Sequence, residues 1–356
     1  MKIFITGICG FVGSSLAAWL RQRDPATQIT GLDNFCRPGS ETNRLRLHAM
    51  DIPVRHGDVR NASDFEGLPA VDWVIDAAAN PSVLAGVDGA TSSRQLLEHN
   101  LLGTINILEY CKRSGAGFVL PSTSRVYSIH ALAALPVKVR DRAFVLDEQG
   151  VWPAGVSDHG IDVDFSTAAP VSLYGASKLA SETLAQEYGE TFSFPVWINR
   201  CGVLAGAGQF GTAEHGIFSY WIHAYAAKRA LKYIGYEGAG HQVRDALHPD
   251  DIANLVHRQV HAAAPATPRV VNVGGGPANA MSLAQLSDWC TQRFGPHPVG
   301  SDPAPRPFDV PWVVLDNRRA SAQFDWKPEK LLTSILDEIA GHAQRNPRWL
   351  ELTGAA

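Results

Sequence analysis

Tyr174 and Lys178 stand four residues apart in Tyr174-Gly175-Ala176-Ser177-Lys178, at the start of a helical pattern, so both side chains fall on one helix face. A free phenol ionises near ~10, too high for a base at neutral pH. A lysine cation within about 4–6 Å favours the phenolate and lowers that value, which turns the pair into a proton acceptor. On its own a Tyr-x-x-x-Lys spacing is common on solvated helix faces, and its meaning depends on what stands upstream. Pro121-Ser122-Thr123-Ser124 ends a predicted strand with three hydroxyls. One of them is expected to bridge a substrate hydroxyl and the tyrosine oxygen. The other two then bond local turn backbone, and spacing alone does not say which is which.

The upstream signal is Thr6-Gly7-Ile8-Cys9-Gly10-Phe11-Val12-Gly13, which follows the first predicted strand and opens the first helix. Gly7, Gly10 and Gly13 allow a tight turn, close approach of backbone to a pyrophosphate, and close helix–strand packing. The helix N-terminus, with Phe11 and Val12 in its first turn, offers free N–H groups and positive dipole to phosphate. The spacing is G-x-x-G-x-x-G. About twenty residues on, Asp33 ends the second strand, where its carboxylate accepts from adenosine ribose hydroxyls and repels a 2′-phosphate. That favours NAD over NADP, although Arg37 nearby is able to accommodate such a phosphate. Asn34, the Asp58-Val59 pair expected beside adenine, the small run Ala77-Ala78-Ala79 after the fourth strand, and Asn100 complete the expected cofactor contacts. The positive nicotinamide ring would then add to Lys178 in favouring the phenolate.

These residues need a scaffold that brings strand ends together. Lys2–Thr6, Gln28–Leu32, Pro53–Gly57, Trp73–Ala77, Phe118–Pro121 and Val196–Asn199 read as buried strands. Phe11–Arg21, Thr91–Ser114 and Ala176–Thr191 read as helices between them. Alternating β and α predicts an α/β fold, a doubly wound parallel (Rossmann) sheet covered on both faces, with ligands at the carboxyl ends of the strands. After Arg200 the pattern loosens into a smaller C-terminal α/β unit. It holds a helix near Ile217–Lys228, strands at Leu231–Ile234, Gln242–Ala246 and Arg269–Val273, a proline-rich loop at Pro296–Pro311 and a terminal helix at Lys330–Gln344. Parts of 240–275 are expected to rejoin the large sheet. The long, weakly patterned stretch Ser128–Pro170 is expected to be a flap over substrate, with a peripheral elaboration as the alternative.

Bulk properties narrow the class. The 356 residues are 45% hydrophobic and 19% charged, with a formal net charge of -4, which argues against nucleic-acid binding. No run approaches the roughly 18 apolar residues of a membrane helix, and a strand starting at Lys2 leads us to expect no signal peptide. Five scattered cysteines without C-x-x-C spacing make disulfides and a metal site unexpected and fit a reducing cytoplasm.

Taken together, Gly7–Gly13, Thr123 and Tyr174/Lys178 resemble the extended short-chain dehydrogenase/reductase family over essentially the whole chain. The resemblance implies that 1–200 is the NAD-binding domain with the catalytic residues and 201–356 the sugar-nucleotide-binding domain. It selects Thr123 through Thr123-Ser124-Arg125-Val126-Tyr127, with Tyr127 in a structural or substrate-lining place. Dehydratases of the family carry an acidic pair after that threonine; Ser124-Arg125 stands here, which disfavours dehydration. Asp33–Ser40, Gly208-Gln209-Phe210-Gly211 and Gln242–Asp251 are similar to the CDP-paratose (CDP-tyvelose) 2-epimerases. By the same resemblance Arg244 and Arg306 hold a diphosphate, Asp309 lies on the nucleotide side, and Ser124 and Gln209 join Thr123 and Tyr174 in contacting substrate. Val203 stands where many 4-epimerases place a diphosphate-binding asparagine, and His248 and Asp251 are expected to cap the Asp251–Val260 helix.

What this implies is an isomerase: hydride passes to NAD from a sugar carbon and returns to the other face of the keto-sugar, most closely at C2 of a CDP-linked hexose. The alternatives are a C4-epimerase of another nucleotide sugar, an NAD(H)-dependent reductase or decarboxylase, and a non-catalytic NAD sensor. A homodimer or homotetramer is implied, through the Thr91–Ser114 and Ala176–Thr191 helices.

Overall fold

The computed structural model describes residues 1–87, 89, 92–262 and 269–355. Its main sheet has seven strands. β1 (Lys2–Thr6), β2 (Gln28–Asp33), β3 (Val54–His56), β4 (Trp73–Asp76) and β5 (Gly117–Thr123) are joined by Val196–Cys201 and Val270–Val273. The spatial order is Val270–Val273, Val196–Cys201, β5, β4, β1, β2, β3, and all six pairings are parallel. Val196–Cys201 and β4 are buried along their whole length, because helices cover both faces. Leu16 and Leu20 of Phe11–Arg23 meet Ile252 and Val256 of Pro249–His261 on one face. Ile107, Leu108 and Tyr110 meet Ala185 on the other. The doubly wound α/β fold is therefore present, and its register sets Thr6 opposite Asp76 and Thr123 opposite Cys201 at one edge.

Several elements differ from their sequence expectation. Thr91–Ser114 is not one even helix: Ser93–Leu97 and Gly103–Ser114 flank a wide π-type turn at Glu98–Leu102, and Thr91 itself lies outside the described residues. Val270–Val273 joins the large sheet, whereas Val243–Leu247 belongs to a second sheet with Val203–Leu204, Ala280–Ser282 and Trp312–Val313. The proline-rich 296–311 segment holds a strand, Val299–Asp302, parallel to Leu231–Ile234. Prolines bracket these four residues without interrupting them, so all four N–H groups stay free for pairing. His248 does cap the Pro249–His261 helix, Nδ1 accepting from the Asp250 N–H at 3.1 Å. Asp251 does not; its carboxylate accepts from the Glu329 and Lys330 N–H groups at 2.9 and 3.3 Å.

The expected flap over 128–170 is the largest correction. This stretch folds into a short helix (Ile129–Ala133) and two hairpins, Val137–Arg140 with Ala143–Leu146 and Val156–Ser157 with Gly160–Ile161. Its Leu132, Leu146, Ile161 and Phe165 form one core with Val310 and Trp312–Leu315. It is pinned to the large sheet by Arg200 Nη1 donating to the Val163 carbonyl (2.9 Å) and Asn272 Nδ2 to the Ile161 carbonyl (2.8 Å). Its apolar residues are taken up in that core, and none of its residues lines the cleft at the carboxyl edge of the large sheet.

Asp245 shows how tightly the second sheet meets the first. Oδ2 accepts from the Gly276 and Leu315 N–H groups at 3.1 and 3.3 Å, while a Cβ on Gly202 or Gly274 would stand 2.7 or 2.2 Å from its oxygens. Burial pushes this carboxyl up to about 6, against those N–H bonds. A raised folded-state value binds the proton more tightly than the unfolded chain does. Its stabilisation is therefore full below the unfolded value of about 3.9 and lost as pH rises through about 6, a swing of about 3 kcal/mol. Asp245→Asn keeps one oxygen for both N–H groups and removes the charge. Its Tm relative to wild type should climb between about pH 4 and pH 7; parallel Tm–pH curves would show that Asp245 does not titrate in the fold.

Candidate active site

Along the carboxyl edge of the large sheet runs a cleft of about 850 Å³, walled on its far side by the second sheet. Gly7, Gly10, Phe11 and Val12 form its floor at one end. Gly7 adopts φ +61, and a Cβ there would stand 2.8 Å from the Ala78 Cα. Gly13 packs beneath: a Cβ would meet the Gly7 carbonyl oxygen at 2.3 Å. Gly10 is the N-cap of Phe11–Arg23 and gives no side-chain cap, so the first-turn amides remain open to an anion. Asp33 sits at the rim with its oxygens accepting from the Cys9 and Phe35 N–H groups at 2.8 and 2.9 Å. Each oxygen keeps a lone pair for a ribose hydroxyl. Burial holds this carboxyl above its ordinary value, opposed by those N–H bonds.

The rest of this end differs in detail from expectation. Arg37 lines the cleft, its guanidinium donating to the Phe210 carbonyl and lying 2.7 Å from His215 Nε2. Burial and the Arg37 charge push His215 down to about 3, so it stays neutral and accepts. Ser82 Oγ donates to Glu214 at 2.7 Å and Arg306 to the Ala213 carbonyl at 3.0 Å. The 209–216 segment thus crosses the cleft as a strap held from both walls. Val59, Asn34 and Ala77–Ala79 line the cleft. Asp58 turns away, paired with Arg60 at 2.6 Å and accepting from Asn34 Nδ2 at 2.9 Å. Asn100 is buried as well; it exchanges hydrogen bonds with the Asn80 backbone and donates to Ser177 Oγ. It ties the segment after β4 to the Ser172–Thr191 helix.

At the centre, the structure brings Thr123, Ser124 and Tyr174 to the cleft surface. Thr123 Oγ1 accepts from the Arg125 N–H at 3.1 Å, which leaves its own O–H to donate to the Tyr174 phenol. Of the other two hydroxyls, Ser122 donates to the buried Glu182 carboxylate at 2.5 Å. Burial pushes Tyr174 up to about 12, opposed only by the Thr123 hydrogen bond and the Arg125 charge. Lys178 lies one turn on and is 2% exposed; burial lowers it, while the charges of Asp76 and Glu182 raise it.

Toward the far end, Arg244 Nη2 pairs with Asp309 at 3.1 Å and also donates to the Val310 carbonyl. Gln242 Nε2 donates to the second Asp309 oxygen at 2.9 Å. Gln209 Nε2 donates to the Leu204 carbonyl at 2.7 Å, and its buried Oε1 has no partner. Sequence reasoning missed Arg125, which enters the cleft between Tyr174 and Arg244. A charged residue directly after the Thr123-Ser124 strand end was the available signal. It also missed His99, which lines the cleft with both ring nitrogens unpartnered; nothing in its helical context marks it. Among the described residues no His, Cys, Asp and Glu cluster suits a metal ion, and no helix is long and apolar enough to cross a membrane.

Comparison with known proteins agrees with this arrangement. Residues 3–274 match the model of the NAD dependent epimerase/dehydratase family. The chain is 27% identical over 343 residues to a CDP-paratose 2-epimerase from Salmonella typhi, covering 92% of this chain and 95% of that one. It is 28% identical to a dTDP-glucose 4,6-dehydratase from Streptomyces antibioticus, covering 99% and 95%. Its fold superposes on a Bacillus cereus UDP-glucuronic acid 4-epimerase solved with UDP-glucuronic acid and NAD, at TM-score 0.77 and 22% identity over 97% of this chain and 99% of that one.

The cradle makes a direct demand on residue size. Gly13→Ala places a methyl against the Gly7 carbonyl, so the purified variant should melt as a folded protein yet carry at least about tenfold less bound NAD than wild type. Equal nucleotide content after denaturation and chromatography would remove the loop from the cofactor site.

Proposed function

The chain belongs to the NAD dependent epimerase/dehydratase family, and we propose that within it the protein is an epimerase of a nucleotide-activated hexose. The observation that carries this reading is the continuity of one cleft. It joins the glycine cradle, the Thr123–Tyr174 pair and the arginines 125, 244 and 306, in the order a cofactor, a sugar and a diphosphate require. Bound NAD supplies the acceptor, and later the donor, of a hydride. Tyr174 takes the proton of the sugar hydroxyl as the C–H hydride leaves, so that the carbinol becomes a ketone. When hydride returns to the opposite face, Tyr174 gives the proton back. Net oxidation is zero, and the strap over 209–216 suits a cofactor that stays bound between turnovers.

Each neighbour has a stated task. Thr123, fixed by the Arg125 N–H, directs its own O–H at the phenol oxygen and holds the sugar hydroxyl beside it. Arg244 and Arg306 present planar forks to diphosphate oxygens, with Asp309 orienting Arg244. Gln209 Oε1, buried without a partner, is an acceptor for a substrate hydroxyl. Ser124 and Arg125 stand where dehydration would need acidic groups, which favours simple inversion of a carbon. The similarity to a CDP-paratose 2-epimerase supports C2 of a CDP-3,6-dideoxyhexose as the site of that inversion.

A panel of CDP-, GDP- and UDP-hexoses in heavy water, followed by NMR, tests the reading. The expected result is inversion at C2 of a CDP-linked sugar without deuterium uptake or accumulation of NADH. Tyr174→Phe should lower turnover by about 10²–10⁴-fold, the usual worth of a positioned base. Inversion at C4 alone, or net release of NADH, would overturn the C2-epimerase assignment.

A further inference from the structure

The proton and hydride transfers leave the Arg125 side chain unused, although it lines the cleft half-buried. Burial and then the charge of Arg244 bring it down to about 10, so it is cationic at neutral pH. Among the described residues it has no ion-pair partner; its guanidinium donates through Nη1 to the Phe308 carbonyl at 3.1 Å. One loop gathers the cleft arginines. Arg306 opens it, the Phe308 carbonyl takes Arg125, and Arg244 Nη2 donates to the Val310 carbonyl at 2.9 Å. Two residues of chain span at most about 7 Å, so these carbonyls hold Arg125 and Arg244 as near neighbours. Both also wall a smaller cavity of about 30 Å³, together with Phe308 and Val310. The Asp309 carboxylate is taken by Arg244, Gln242 and the Val310 N–H. Backbone pairing gives the order along the cleft. Arg125 follows Thr123 by two residues, and its carbonyl presses on Gly175, beside Tyr174, where a Cβ would stand 2.2 Å away. The Val243–Leu247 strand meets Val203–Leu204, just beyond Cys201, through Ala246 and Leu247. Its other end, with Gln242 donating to the Ile234 carbonyl at 2.9 Å, therefore points away from Thr123. A ligand with its sugar at Tyr174 passes Arg125 before Arg244.

We propose that Arg125 binds the sugar-linked β-phosphate of the substrate, as the sugar-side member of a clamp whose other guanidinia are Arg244 and Arg306. This deepens the epimerase reading and rests on a sugar nucleotide occupying the cleft. Guanidinia gathered in a half-buried wall repel one another until an anion stands between them, and a phosphate accepts several such N–H donors at once. The backbone of the same residue holds Thr123 Oγ1 at 3.1 Å. One residue thus ties the phosphate contact to the hydroxyl beside the phenol. A grip on that phosphate retains the keto-sugar between the two hydride transfers.

The test is calorimetric binding to the NAD-loaded protein, CDP against CMP and UDP against UMP, with UDP-glucuronic acid against UDP-glucose as a third pair. Arg125→Gln keeps a donor for the Phe308 carbonyl and should weaken the diphosphates about 10- to 100-fold, the worth of one charged hydrogen bond. The monophosphates, which lack the β-phosphate, should change by less than about threefold on the same scale. Arg125→Lys keeps the charge and should return most of the diphosphate preference. Arg125→Met serves as the neutral variant should the Gln protein not fold. Equal losses for diphosphate and monophosphate, or no loss of either, would overturn the proposal. So would a loss confined to UDP-glucuronic acid, which would assign Arg125 to a carboxylate on the sugar. Binding needs no turnover, so the two readings fail separately. A neutral variant that keeps the wild-type diphosphate preference removes the role of Arg125 alone. A wild type that holds no diphosphate more tightly than its monophosphate sinks the sugar-nucleotide reading and this proposal together.

Discussion

The structure depends most on one buried carboxylate. Glu182, 1% exposed, accepts from Arg200 through Nε at 3.0 Å and Nη2 at 2.7 Å, and from Ser122. Burying an ion pair seldom adds stability, because desolvation offsets attraction, but leaving one partner unpaired costs several kcal/mol. The consequence is registry. Tyr174, Lys178 and Glu182 lie at four-residue intervals along one helix face. Pinning Glu182 to β5 and to the Val196–Cys201 strand therefore fixes where Tyr174 arrives two turns earlier, opposite Thr123. Arg200 extends the same grip outward by donating to Val163 and lying 5.3 Å over the Tyr127 ring.

That grip explains the form of the 128–170 segment. A wedge between two sheets needs apolar area on both sides and must be tied at its ends to something rigid. The segment shares a core with 310–315 and is tied to strand residues Arg200 and Asn272. With the wedge in place the second sheet stands at a fixed distance from the first. The cleft of about 850 Å³ lies between them.

Charge is distributed unevenly along the cleft. Behind it, cations and carboxylates alternate from Asp76 through Lys178 and Glu182 to Arg200, so the interior is close to neutral. In front, Arg125, Arg244 and Arg306 line the cleft, where Arg244 pairs with Asp309. Like charges held close in a partly desolvated wall are unfavourable without an anion between them, and a diphosphate is such an anion.

Residue order alone determined the doubly wound sheet, because strands buried on both faces read as continuous apolar runs and helices as periodic ones. The tight Gly7–Gly13 turn and the placing of Tyr174 and Lys178 on one helix face were also legible, because spacing along the chain sets both. Tertiary structure decided the rest. Val243–Leu247 went to a second sheet and Val299–Asp302 emerged from a proline-rich stretch, since pairing partners tens of residues away settle where a strand lies. Asp58 and Asn100 were read as facing a cofactor; each is instead committed to Arg60 or to Asn80, partners that spacing does not reveal. Lys178 is the sharpest case. Its four-residue step from Tyr174 was legible, but Asp76 and Glu182, whose charges act on it against burial, reach it from elsewhere in the fold or from its own helix. Electrostatic effect is a sum over neighbours in space, and only the fold supplies that list.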